Sequence, residues 1–210
     1  MKLYKFRSLA GEGFVHALDM VVNERIFLST CDVMNDPSEG SWIPNESLDE
    51  ILESKYLDLA AQVKKVVDSI RFTSFTDSYK NELLWSHYAG GFTGVCFEYE
   101  LDEKIFDIQK ILYSDRIKLT LEKLEDIHSR KVLPQELGIL RTKTKCWEYE
   151  SEYRLYGNID DNNKYINARP TKVIMGTRKF DYNRVFASIV EKYEIELVRL
   201  FQHRNDFWLV

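Results

Sequence analysis

The feature that most constrains this chain is how often its apolar periodicity changes. KLYKFR (residues 2–7), RIFLS (25–29), FTSF (72–75), GVCFEYE (94–100), TKVIMG (171–176), IELVRLFQ (195–202) and FWLV (207–210) are short runs of strand character. Between them lie segments whose apolar residues recur three and four apart, as on one face of a helix: Phe14, Ala17, Leu18 and Val21; then Leu48, Ile51, Leu52, Leu59, Val63, Val66 and Ile70; then Ile117, Leu121, Leu124 and Ile127. Short strands interleaved with helices of unequal length predict an α+β fold, a single domain over residues 1–210 with a mixed, mainly antiparallel sheet flanked by helices. No linker, low-complexity segment or internal repeat divides it.

Local signals refine this reading. Ser47 and Glu50 have capping-box spacing and predict a helix running to about Ser69. NELLWSHYAGG predicts a short helix stopped by Gly90 and Gly91, residues 115–131 a further helix, and Pro134 the start of a shorter one. CWEYESEYRLY (146–156) reads as a strand, NIDDNNK (158–164) as a loop and DYNRVFASIVEKY (181–193) as a helix.

With 210 residues, 44% of them hydrophobic, the chain can bury a substantial core, and most of its 12 Tyr, 12 Phe and 4 Trp belong there. A net charge of −5 gives no general nucleic-acid signal, although a local basic cleft is compatible with it. Cys31, Cys96 and Cys146 fit neither a disulfide framework nor a zinc knuckle, which fits a reducing cytoplasm. The N-terminal stretch lacks the apolar segment of a signal peptide, and no run reaches membrane-spanning length, so a soluble cytoplasmic protein is expected. Walker, dinucleotide-fingerprint, HExxH and GxSxG motifs do not occur.

Three constellations carry more polarity than folding demands. CDVMNDPSEG (31–40) needs only Asn35 or Asp36 with Pro37 to turn, which leaves Glu39 without a structural reason. WSHY groups Trp85, Ser86, His87 and Tyr88 before a glycine pair; a capping histidine and a core tryptophan are the structural alternatives to a site. As a strand, CWEYESEYRLY would align Glu148, Glu150, Glu152 and Arg154 on one face, which must meet water, a cation, or basic groups such as Arg7 and Arg154. A solvated charged face and a floor of acids beneath a ligand both satisfy that requirement.

In chain order, LYKFRSL, MNDPSEG, SFTD with LLWSHYAGGFTGVCFEY, WEYESEYRL and VIMG resemble the bacterial domain-of-unknown-function family 2971 over nearly the whole chain. Met34 and Ser38 stand where that family more usually has aromatic residues, and the family name implies no activity. The layout of an early Arg, a helix leading to an IFLS-like strand, a polar loop and a late strand with alternating glutamates also resembles compact ADP-ribosyltransferases. That resemblance implies NAD as a substrate. It places the diphosphate on Arg7, a stacking ring at Trp85 or Tyr88, and the rim at Asn35 and Asp36, with Glu39 and Arg154 completing the pocket; Glu152 or Glu150, with His87, is then catalytic. An ADP-ribosyltransferase or glycohydrolase, set in bacterial stress response or phage defence, is the leading expectation. The alternatives are a Mg²⁺-dependent nuclease or phosphodiesterase using Asp36, Glu39, Glu150 and Glu152, and a module that binds a ligand or partner without catalysis.

Overall fold

The structure is a computed structural model and describes residues 1–53, 55–158, 163–179, 181–203 and 206–210. In chain order the elements are β1 (Lys2–Arg7), α1 (Glu12–Val22), β2 (Arg25–Phe27), β3 (Ile43–Pro44), α2 (Leu48–Glu53), α3 (Tyr56–Ser69), β4 (Phe72–Thr76), α4 (Glu82–Tyr88) and β5 (Val95–Glu100). Then come β6 (Asp107–Lys110), β7 (Leu112–Tyr113), β8 (Lys118–Leu119), α5 (Leu121–His128), β9 (Thr142–Lys143) and β10 (Glu152–Tyr156). The last are β11 (Tyr165–Asn167), β12 (Lys172–Met175), α6 (Asn183–Lys192), β13 (Glu196–His203) and β14 (Asp206–Leu209). Eight strands form the main sheet in the order β14-β13-β12-β5-β1-β4-β10-β6. Only β12 and β13 run parallel within it, and α6 makes the crossover such a pair needs. The result is the predicted single α+β domain with a mixed, mostly antiparallel sheet.

Period-two alternation sends Leu3, Val95, Phe97, Tyr99, Val173 and Met175 to one sheet face, where α1 and α6 cover them with Met20, Val21, Phe186 and Val190. The opposite face buries Phe6, Cys96, Ile174 and Leu200 against Trp85 of α4. Beyond β4 and β10, Phe72 and Tyr156 meet Leu59, Val63 and Val67 of α3 and Leu124 and Ile127 of α5.

Four local expectations change. The helix expected up to Ser69 is two, α2 and α3, because Leu48 and Leu52 remain exposed and only Ile51 of the first segment's stripe packs on the core. The helix expected over 115–131 starts at Leu121, where the Thr120 side chain accepts from the Lys123 N–H; Ile117 and Leu119 belong to an extended segment beside β3. Pro134 opens a series of turns rather than a helix. Lys145–Glu150 forms a 3₁₀ helix that ends on Ser151 at φ 44°, so only Glu152 onward is strand. The middle of the loop at 158–164 lies outside the described residues.

One departure from regular sheet geometry positions everything that follows. β1 pairs with β5 through six residues but with β4 only at Tyr4↔Thr76. At its other end β4 exchanges backbone hydrogen bonds with Ser29, at Phe72. On its far side it pairs with β10 along its whole length. The β4 edge facing β1 is therefore open between Thr73 and Phe75, and Lys5 reaches across it, its Nζ donating to the Ser74 carbonyl at 2.8 Å. The parting end of β1 is held from behind by Gly94: a Cβ there would lie 2.2 Å from the Arg7 carbonyl oxygen and 2.9 Å from that of Ala89. Gly94→Ala is expected to destabilise the protein by about 1–3 kcal/mol through overpacking, read from urea denaturation; an unchanged midpoint would show that β1 is not held this tightly.

Candidate functional site

A cavity of about 390 Å³ opens where β1 and β4 separate, within the size range of small-molecule sites. Its walls carry Lys5, Arg7 and Ser8 from β1 and its end, and Thr73–Thr76 from β4. Asn35 comes from the polar loop, His87 and Tyr88 from α4, and Lys143, Glu150 and Glu152 from the segment around β9 and β10.

The carboxylate side is built from the inside outward. Arg154 is fully buried and donates to both oxygens of Glu39, at 2.7 and 2.6 Å, and through Nε to Glu152 at 2.8 Å. Its Nη1 also donates to the Leu140 carbonyl at 2.6 Å, so the guanidinium has partners on three sides. Glu152 accepts further from Ser74 Oγ at 2.5 Å and Lys143 Nζ at 2.8 Å. The same Lys143 ammonium donates to Glu150 at 2.7 Å, and the other Glu150 oxygen accepts from Tyr88 Oη at 2.5 Å. Burial alone would push the Glu152 carboxyl up, but Arg154 and Lys143 outweigh it and hold it at about 2. Burial likewise opposes the Lys143 charge, and Glu152 and Glu150 outweigh it, so Lys143 lies above its usual value.

The β1 side is the opposite case. Lys5 is buried, and among the described residues neither it nor Arg7 has a carboxylate of its own. Arg7 Nε is buried without a hydrogen-bond partner, as is the Thr76 hydroxyl. Burial, and then the Arg7 charge, push the Lys5 amine well below its usual value; burial lowers Arg7 as well. The cavity is therefore polarised, with basic side chains that lack carboxylate partners among the described residues on β1 and the ion-paired carboxylates of Glu150 and Glu152 beyond β4.

Of the residues singled out in the sequence, Arg7, Asn35, His87, Tyr88, Glu150 and Glu152 come together around this cavity. Glu39 and Arg154 sit behind its wall as the ion pair that fixes Glu152. Asp36 accepts from the backbone N–H and hydroxyl of Ser38, at 2.9 and 2.7 Å, and organises its own turn. Trp85 is core: it stacks on Phe92, meets Phe6 edge-on and donates Nε1 to the Tyr79 carbonyl. Glu148 is exposed because the 3₁₀ helix replaces the expected alternation.

Lys5, Ser74 and Lys143 escaped the sequence reading. Lys5 shares the period-two face of Arg7 and was legible in principle, whereas Lys143 lies in TKTKC, a stretch with no periodic signal. Among the described residues no group of three or more His, Cys, Asp or Glu is arranged to hold a metal ion, and no helix is long and apolar enough to cross a membrane.

What the fold and cavity define is an α+β domain with a charge-polarised pocket in a split sheet. Residues 84–155, about a third of the chain and running from α4 to β10, match a family described as protein of unknown function (DUF2971). That segment holds His87, Tyr88, Lys143, Glu150, Glu152 and Arg154, whereas Lys5, Arg7 and Asn35 precede it. No curated protein and no solved structure matches the chain.

Glu152 also sets an acid limit. Its folded value lies below the ordinary 4.5, so its contribution to stability is complete above that value and is lost as pH falls from there through about 2. Glu152→Gln is expected to remove that part of the acid profile while costing about 3–5 kcal/mol at neutral pH, because Lys143 and Arg154 lose a partner. Urea denaturation at a series of pH values checks both; an unchanged acid slope in the variant would contradict the assignment.

Proposed function

We propose that the cavity binds a nicotinamide dinucleotide and that the protein is an NAD-using enzyme, an ADP-ribosyltransferase or a glycohydrolase. The observation that carries this reading is the polarity of the pocket. A dinucleotide of this kind carries an anionic diphosphate in its middle and a cationic nicotinamide ring on the ribose at one end. Lys5 and Arg7 suit the first, and Glu150 and Glu152 suit the second. Cleavage of the ribose–nicotinamide bond develops oxocarbenium charge, and a carboxylate that stays ionised throughout the physiological range stabilises it electrostatically. Tyr88 and His87 then offer rings at the cavity wall, in place of the buried Trp85. Consumption of NAD is compatible with a setting in bacterial stress or phage defence.

A second reading rests on one specific observation. Each oxygen of Glu150 and Glu152 already accepts from Tyr88, Lys143, Ser74 or Arg154. A pocket so saturated would also serve a module that binds the nucleotide and does not turn it over.

Arg7 separates binding from folding. Since its Nε has no hydrogen-bond partner among the described residues and its charge disfavours that of Lys5, Arg7→Met is expected to leave the melting temperature of the free protein unchanged or raised. The same variant should lose the upward shift that NAD or ADP-ribose produces in the wild type. Nicotinamide release from NAD distinguishes the enzyme from the sensor, and the absence of a shift with either ligand in the wild type would overturn both readings. Bound phosphate favours the charged form of Lys5, which burial and Arg7 disfavour in the free protein. Affinity should therefore rise as pH falls through the lowered range of that amine, with proton uptake there that calorimetry in buffers of different ionisation enthalpy measures directly; an affinity that does not change with pH between about 6 and 10 would remove Lys5 from the site.

A further inference from the structure

Glu150 and Glu152 are two residues apart, both nearly buried, and both on the cavity wall. Two carboxylates this close repel, and without a cation between them one takes up a proton. The cation is Lys143, 2.7 Å from Glu150 and 2.8 Å from Glu152. The backbone that carries it is held by a strand pairing, and its ammonium lies near an aromatic ring. β9 pairs in parallel with β7, the Ser114 N–H donates to the Lys143 carbonyl, and the Nζ lies 5.2 Å from the centre of the Trp147 ring. The same strand pair holds Glu152 from the other side, since its N–H donates to Tyr113 Oη at 2.7 Å.

We propose that Lys143 is the positioning residue of this site: by bridging Glu150 and Glu152 it offsets the repulsion between the two carboxylates and holds them side by side, so that the pair faces the electron-poor end of a bound substrate. The nature of that substrate rests on the reading above; the bridge does not. Among the described residues, the other titratable groups around the pair are Arg154 with its partner Glu39, Lys5 and Arg7 across the cavity, His87 on α4, and the phenols of Tyr88, Tyr113 and Tyr149. Arg154 touches Glu152 but, among the contacts described, not Glu150, so it does not replace Lys143 for the pair.

The test compares wild type, Lys143→Met and Lys143→Arg. In the free proteins, carbon-13 NMR of the two side-chain carboxyls is followed against pH. In parallel, nicotinamide release from NAD is measured between about pH 5 and 9. In Lys143→Met one carboxyl is expected to titrate within about pH 5–8, and the turnover number to fall about tenfold per pH unit below that value, with KM little changed; Lys143→Arg should restore the wild-type profile. Carboxyls that titrate in Lys143→Met as in the wild type would overturn the proposal. So would a loss of turnover that is equal in both variants at every pH. A wild type that releases no nicotinamide defeats the NAD reading alone, and the carboxyl titrations still decide the role of Lys143. If Lys143→Met does not fold, nitrogen-15 NMR of the wild-type ammonium decides: the Lys143 signal should shift when the carboxyls it bridges are protonated by acid, and a signal that responds to neither would overturn the proposal.

Discussion

The pairing of Arg154 with Glu39 and Glu152 is the interaction on which the rest of this structure depends. A fully buried guanidinium is tolerable only when its donors are met, and here a bidentate carboxylate, a second carboxylate and a backbone carbonyl meet them. Meeting them ties together three distant parts of the chain: the polar loop that carries Glu39, the turn at Leu140, and β10. Because Glu152 is shared between Arg154 and Lys143, the same arrangement that closes the interior delivers an ionised carboxylate to the cavity wall. Structure and site are in this sense one network, and its inner members cannot be varied without moving its outer ones.

Across the cavity the logic reverses. β1 is held along its whole length by β5 but leaves β4 after one residue pair, and the space between carries Lys5 and Arg7, which have no carboxylate partners among the described residues. A fold selected for stability alone would close that split with a backbone ladder or neutralise those cations. That it does neither, while satisfying Arg154 so fully, is the physical reason to treat β1 as the side that waits for an anion. The proposed dinucleotide complements both walls at once.

Much of this was legible in the sequence, and the misses have identifiable causes. The strands and most helices follow from periodicity, and Glu39 stood out in the sequence as surplus to its turn, because a turn at Asn35–Pro37 has no use for it. Its partner was Arg154 in the interior rather than a ligand, since sequence spacing cannot say which side of a wall a buried charge occupies. The segment 146–156 alternated well enough to read as one strand. A left-handed residue at Ser151 instead splits it into a 3₁₀ turn and β10, which sends Glu148 to solvent and leaves Glu150 and Glu152 as the pair. Trp85 was open between a core position and a stacking ring; its ring is core and seals α4 to the sheet. Lys143 had no periodic signal at all and is placed by the parallel pairing of two-residue strands, a contact without local sequence expression.

The central claim is that the two polarised walls act on one ligand. Its most direct test is a crystal structure of the protein with ADP-ribose. The account predicts the diphosphate within hydrogen-bonding distance of Arg7 and the terminal ribose beside Glu152. Clear density for the ligand elsewhere, or an empty cavity at saturating concentration, would contradict it.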